Sequence, residues 1–173
     1  MGLCRIKMYF INVMKKLILV RHAKSSWEFN MDDHKRPLKP RGYSDANLVF
    51  NTLKGKIFPD LIISSDATRA KSTAELYASI SNTNKDEIIL NNMLYDFSGS
   101  NLVQVVKNCK NSVNVLMIFG HNNAITNFVN TYGDVIIDNV PTCGVTIMEF
   151  FIDNWTHLNR GQTIETLFPR DLK

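Results

Sequence analysis

The chain has 173 residues, 45% hydrophobic and 21% charged, with 20 Lys plus Arg against 16 Asp plus Glu. This composition excludes a disordered or fibrous chain, and the length predicts one domain able to bury a core without disulfides or a structural metal. The formal +4 hides an asymmetry: residues 1–86 carry 15 basic and 8 acidic side chains, residues 87–173 only 5 and 8. That excess points to an anionic ligand for the first half. It falls short of the basic stripe that duplex binding needs, so no nucleic-acid partner is expected.

Residues 1–13 (MGLCRIKMYFINV) imitate a signal peptide only weakly. The apolar patch is short, is broken by Asn12, and runs into Lys15 and Lys16 instead of a small-residue cleavage site. Ile6 also stands where myristoylation requires Ser or Thr. The segment reads as a disordered extension or the product of an upstream start, and residues 14–173 as the domain. Cys4, Cys109 and Cys143 lack C-x-x-C spacing and read as reduced thiols of a cytoplasmic protein. No apolar run approaches the ~18–20 residues of a membrane helix, so no membrane association is expected.

Leu17-Ile-Leu-Val20 is a continuous apolar run, as in a parallel strand covered on both faces. Pro40 opens a helix through residue 54, with Ala46, Val49, Phe50 and Leu53 on its apolar face. Leu61–Ile63 is a second strand and 67–80 a second helix; Ile88–Leu90 is a third strand and 102–109 a third helix. The run 113–119 (VNVLMIF) is the most strand-like of all, with a fourth helix over 124–132 behind Gly120-His121. Residues 145–152 read as the final strand and 155–160 as a polar turn. Such alternation predicts a three-layer α/β/α sandwich around a mostly parallel sheet.

In open α/β sheets, functional groups collect at the carboxyl ends of strands. Three such ends carry unusual residues here: Arg21-His22, Ser64-Ser65-Asp66 followed by Thr68-Arg69, and Gly120-His121-Asn122. Two histidines and two arginines should therefore meet at one edge of the sheet. Arginine supplies fixed donor forks for phosphoryl oxygens, and a neutral imidazole can attack phosphorus to form a covalent intermediate. A second histidine can stabilise the charge of the transition state. No carboxylate cluster or H-x-x-x-H pattern suggests a metal, and no cofactor is expected.

The motifs L-I-L-V-R-H-A-K-S-S-W (17–27), D-H-K-R-P-L-K-P-R-G (33–42) and S-S-D-A-T-R-A-K-S-T-A-E (64–75) stand in order along the chain. They are followed by L-Y (94–95), F-G-H-N (119–122), P-T-C-G (141–144) and P-R-D-L (169–172). This set resembles the histidine phosphatase superfamily, also called phosphoglycerate mutase-like, and within it the short bacterial phosphohistidine phosphatase (SixA-like) branch. The resemblance implies His22 as the phosphorylated nucleophile, with Arg21, Arg69 and His121 completing the phosphate pocket. Arg36, Lys24 and Ser25 would bind phosphate or form the pocket rim, although Lys24, Ser25 and Ser26 read more simply as a solvated loop. Asp96 lies near the place where wider family members carry a general acid. Ala23 replaces the Gly of the wider superfamily, and Asp66 and Asn123 stand where the branch often has Pro.

Trp27 reads as a packing residue over a loop, His34 and His157 as surface histidines, and Gly120 as the site of a sharp turn. The short polar link 81–87 (SNTNKDE) leaves no residues for a lid, which favours a phosphorylated protein side chain over an enclosed sugar phosphate. The expected activity is a metal-independent phosphatase acting through phospho-His22, on phosphohistidine in a signalling or phosphotransfer protein, and working as a monomer. The alternatives are a small-molecule phosphomonoester phosphatase of the same superfamily and a weakly catalytic phosphate-recognition module.

Overall fold

The computed structural model describes residues 14–28 and 30–173. The expected extension at 1–13 lies outside the described residues. Six strands, β1 (Lys15–Arg21), β2 (Leu61–Ser64), β3 (Ile88–Leu90), β4 (Val115–Gly120), β5 (Val145–Phe150) and β6 (Gln162–Leu167), form one sheet in the order β3-β2-β4-β1-β5-β6. The first four named in that order run parallel, and β5 and β6 join antiparallel. Four helices flank the sheet: α1 (Pro40–Leu53), α2 (Thr68–Ser81), α3 (Ser100–Lys107) and α4 (Ala124–Tyr132).

The period-2 geometry of a strand explains why β1 is apolar throughout. Leu17 and Leu19 face one core, with Ile125, Phe128 and Val129 of α4 and Leu102, Val105 and Val106 of α3. Ile18 and Val20 face the other, with Val49, Phe50 and Leu53 of α1 and Tyr77 of α2. Helices on both faces make the three layers, as the alternation predicts. In the second core Phe50, Tyr77 and Phe119 meet ring to ring, with centroids 5.5–6.2 Å apart.

Two expectations for the C-terminal part fail. Residues 145–152 do not hold the final strand, because β6 follows and pairs with β5 across a register shift at Ile147/Met148. Its sequence, QTIETL, is largely polar and solvent-facing, as suits an edge strand and as hides a strand from apolar patterning. The segment 155–160 is not a polar turn either. Trp155 is fully buried, and its indole Nε1–H donates to the Val113 carbonyl at 2.8 Å.

Register places the site. Arg21 on β1 pairs with Gly120 on β4, and Ser64 on β2 with Phe119 on β4, so all three strands end at one level. Gly120 has no positive φ, and a Cβ there would meet nothing closer than 3.7 Å, so the chain does not need glycine to turn at this point. Gly42 is different. A Cβ there would lie 2.4 Å from the Lys24 carbonyl oxygen, so the bare backbone lets the first turn of α1 close against the loop after β1.

Candidate functional site

At the carboxyl ends of β1, β2 and β4 lies a cleft of about 440 Å³ whose lining includes Arg21, His22, Arg36, Arg69, Tyr95 and Phe97. Arg21, His22, Arg69 and His121, expected to converge, do so. The His22 and His121 rings stand 5.2 Å apart, and Arg69 Nε reaches His22 Nε2 at 3.3 Å.

His22 is buried, and its Nδ1 sits 2.8 Å from the Ala23 carbonyl. A carbonyl only accepts, so Nδ1 carries the proton and Nε2 keeps the lone pair that accepts from Arg69. Burial pushes the His22 pKa well below 6.5, and the charges of Arg69 and Arg21 push the same way. The ring is therefore neutral at pH 7, with its basic nitrogen turned toward Arg69. His121 is also held neutral, its pKa lowered to about 3 by burial first and Arg69 next. Its Nε2 contacts the Ser65 hydroxyl at 2.9 Å, while its buried Nδ1 has no partner.

Arg21 is anchored by Nη1 to the Val140 carbonyl at 2.7 Å and to Asn139 Oδ1 at 3.3 Å, and its buried Nε has no partner. The loop before β5 holds this corner in place, since Cys143 N–H donates to the carbonyls of both Arg21 and His22. Two buried nitrogens without partners, Arg21 Nε and His121 Nδ1, lie beside a neutral imidazole. Such orphans carry a free-energy penalty of about 1–3 kcal/mol each unless something occupies the site.

Arg36 lies deeper than a rim residue. Its Nε donates to Asp33 Oδ1 at 2.8 Å, its Nη1 to Ser25 Oγ at 2.9 Å, and its guanidinium covers one face of the Trp27 ring at 3.5 Å. Ser25 and Ser26 are buried, so the solvated-loop expectation fails for them, while Lys24 is exposed and lines the cleft. Trp27 is 73% exposed, lines the same cleft and packs its ring against the Arg36 guanidinium. His34 is half-buried, with Nε2 3.0 Å from Asp66 Oδ1 and its ring edge-on to Tyr95, and is more engaged than a free surface histidine. His157 is exposed as expected.

Asp96 is a correction. Its Oδ2 accepts the backbone N–H groups of Gly99, Asn101 and Leu102, and its Oδ1 accepts from Ser98 N–H and Oγ–H. Burial alone would raise its pKa, but these hydrogen bonds outweigh that and hold it below the usual carboxylate range. An ionised carboxylate that caps the start of α3 has no proton to give. It is not among the residues lining the cleft, whereas its neighbours Tyr95 and Phe97 are.

Asp33 and Tyr95 were not singled out from sequence. Asp33 Oδ2 accepts from Arg69 Nη2 at 2.9 Å and from the Tyr95 hydroxyl at 2.6 Å, and its carbonyl accepts from Arg69 Nη1 at 2.6 Å. These donors and two guanidinium charges overcome desolvation and hold its pKa at about 2. The one available signal was spacing: Asp33 and Arg36 stand three apart, bridged across the turn at Asp33–Lys35. Among the described residues no group of three or more His, Cys, Asp or Glu is placed to hold a metal ion, and no helix is long and apolar enough to cross a membrane.

The model of the histidine phosphatase superfamily (branch 1) matches residues 17–98, which span the strand ends of β1 and β2 and the turn through Tyr95. An uncharacterized chloroplastic protein of Arabidopsis thaliana is 27% identical over 155 residues, 83% of this chain and 70% of that one. Among solved structures, the protein histidine phosphatase SixA complexed with tungstate aligns with a TM-score of 0.74 at 19% identity, covering 91% of this chain and 99% of that one. A SixA from Agrobacterium tumefaciens, assigned as a phosphohistidine phosphatase, aligns at 0.75 and 21% identity over 88% and 97%. The phosphoglycerate mutase of Bacillus anthracis aligns at 0.61 and 15% identity over 85% and 96%, so the fold is phosphoglycerate mutase-like. Taken with the strand-end Arg and His residues described above, these matches make the chain similar to histidine phosphatases: the family model covers residues 17–98, just under half of the chain, and the solved structures share its fold.

Proposed function

We propose that the chain hydrolyses phosphohistidine on a protein through a phospho-His22 intermediate, without a metal. The observation that carries this reading is the neutral His22 ring, its Nε2 lone pair facing Arg69 Nε at 3.3 Å inside a cationic cleft. The Nε2 lone pair attacks phosphorus as the bond to the leaving nitrogen breaks, and that nitrogen departs with a proton taken beforehand from solvent. Water then attacks the phosphorus–Nε2 bond, releasing inorganic phosphate and restoring neutral His22.

Arg69, Arg21 and Arg36 would neutralise the non-bridging oxygens. His121 would act as a neutral donor. The Ser65 hydroxyl already accepts from Ala67 N–H at 3.3 Å, so its own proton is free for His121 Nε2. That leaves His121 Nδ1–H for the phosphoryl group.

Two observations favour phosphohistidine over a phosphate ester. Asp33 and Asp96 are both held ionised and both histidines are held neutral, so none of these groups has a proton to give at pH 7. An alkoxide leaving group needs such a proton; an imidazole, with a pKa near 6.5, leaves readily once protonated. Second, α2 ends at Ser81 and β3 begins at Ile88, so the link carries no roof over the cleft. An open cleft with exposed Trp27 and Phe97 suits a side chain presented on a protein surface. The enzyme would work in the cytoplasm, where the buried free thiols Cys109 and Cys143 stay reduced.

Competition kinetics test the substrate class. A phosphohistidine-bearing protein should be turned over with a kcat/KM far above that of a serine phosphate peptide or a sugar phosphate. A clear preference for a sugar phosphate would overturn the reading.

A further inference from the structure

Among the described residues lining the cleft, Asp33 is the only carboxylate, beside the cations Arg21, Lys24, Arg36 and Arg69. A fixed negative charge in a cleft that receives an anion weakens ground-state binding, so its place needs a reason. Its contacts supply one. Nη2 and Nη1 of Arg69 are held at 2.9 Å and 2.6 Å by the Asp33 carboxylate and carbonyl, while Arg69 Nε points to His22 Nε2 at 3.3 Å. A guanidinium is planar, so gripping its two terminal nitrogens sets the direction of Nε–H. Arg36 Nε on Oδ1 and the Tyr95 hydroxyl on Oδ2 brace the carboxylate in turn.

We propose that Asp33 is a positioning residue that holds Arg69 by its outer edge, aiming Nε–H at the phosphoryl group on its way to His22. The inference rests on the reading of His22 as nucleophile. Asp33 then trades substrate affinity for transition-state alignment. Removing its charge should slow phosphoryl transfer while anions bind no worse or more tightly.

The test is rapid-quench measurement of phosphoenzyme formation for wild type, Asp33→Asn, Asp33→Ala and His22→Ala. Phosphoramidate and an aryl phosphate serve as donors, with inhibition by inorganic phosphate measured alongside. The rate should fall on the order of 10–100-fold in both Asp33 variants, as expected when an aligned group loses its direction. The loss should be equal for both donors, and phosphate inhibition should stay unchanged or tighten. Tyr95→Phe keeps the Asp33 charge and loses one brace, and should show a smaller loss of rate with no tightening.

An unchanged rate overturns the inference. So does weakened phosphate binding in step with rate, which is the mark of a merely structural role. A loss that grows with the pKa of the leaving group also overturns it, because it makes Asp33 a proton donor. If wild type itself forms no acid-labile phosphoenzyme, the His22 reading fails instead, and the two failures are told apart.

Discussion

The two ends of β1 each carry a cation, fully buried at one end and half-buried at the other, and they treat it in opposite ways. At the amino end Lys15 is fully buried, and its ammonium donates to the Asn111 carbonyl at 2.6 Å, the Val113 carbonyl at 3.0 Å and Asn114 Oδ1 at 2.9 Å. An ammonium has three protons, and all three are used. Trp155 closes over the same carbonyl, sealing this end. At the carboxyl end Arg21 Nε and His121 Nδ1 are buried with no partner at all. One β-strand thus joins a satisfied site, which holds the fold together, to an unsatisfied one, which is built for an anion that arrives from outside.

The largest effect should come from the open end. His22→Ala should lower turnover on the order of 10⁴–10⁶-fold, the scale seen when a nucleophile is removed, with little change in the thermal midpoint. The closed end should give the reverse. Lys15→Met removes the buried donor shared by the Asn111 carbonyl, the Val113 carbonyl and Asn114 Oδ1, leaving Val113 only the Trp155 indole, so denaturant titration should show a loss of about 1–3 kcal/mol. Activity per folded molecule should remain within about twofold, because Lys15 touches nothing in the cleft.

Acid should weaken the open end first. His22 and His121 have folded-state pKa values below the unfolded 6.5, so the unfolded chain binds protons that the folded chain refuses. Their contribution is fully present above pH ~6.5 and is lost as pH falls, by about 1.4 kcal/mol per pH unit for each ring until its folded pKa is reached. For His121 that limit is about 3. Asp33 adds a loss in the same direction only below the usual carboxylate range, down to about pH 2. Equilibrium unfolding at pH 7 and pH 5 should show the fall in wild type and a shallower one in His121→Gln.

A small catalytic effect is also expected from Asp96→Asn. Losing an ionised cap should cost about 0.5–2 kcal/mol of stability, measurable by thermal melting, with kcat within about threefold of wild type. A hundredfold fall in kcat would restore Asp96 as an acid.

Residues on the strands were readable from sequence because the sheet itself brings them together. Arg21, His22 and His121 follow apolar runs, and parallel register aligns β1 with β4 without help from loops. Arg69 sits one residue into α2 and is carried by the same logic. Asp33 was not readable, because it lies on a turn between elements and meets Arg69 and Tyr95 across 36 and 62 residues. Nothing local encodes that meeting.

Asp96 misled for the opposite reason. Its position after Leu94-Tyr95 suggested chemistry, yet the local pattern D-F-S-G-S before a helix is that of a cap, with a short polar side chain preceding free backbone N–H groups. β6 escaped notice because an edge strand facing water carries little apolar alternation, and Ile164, its central apolar residue, is itself exposed.

The most direct measurement is trapping of the enzyme during turnover of a phosphohistidine protein carrying labelled phosphorus, by quench into base and mapping of the label. The account predicts one acid-labile, base-stable phosphoryl group per chain, on His22, that disappears in His22→Ala. Turnover with no trapped phosphoenzyme, or with the label on any other residue, would contradict it.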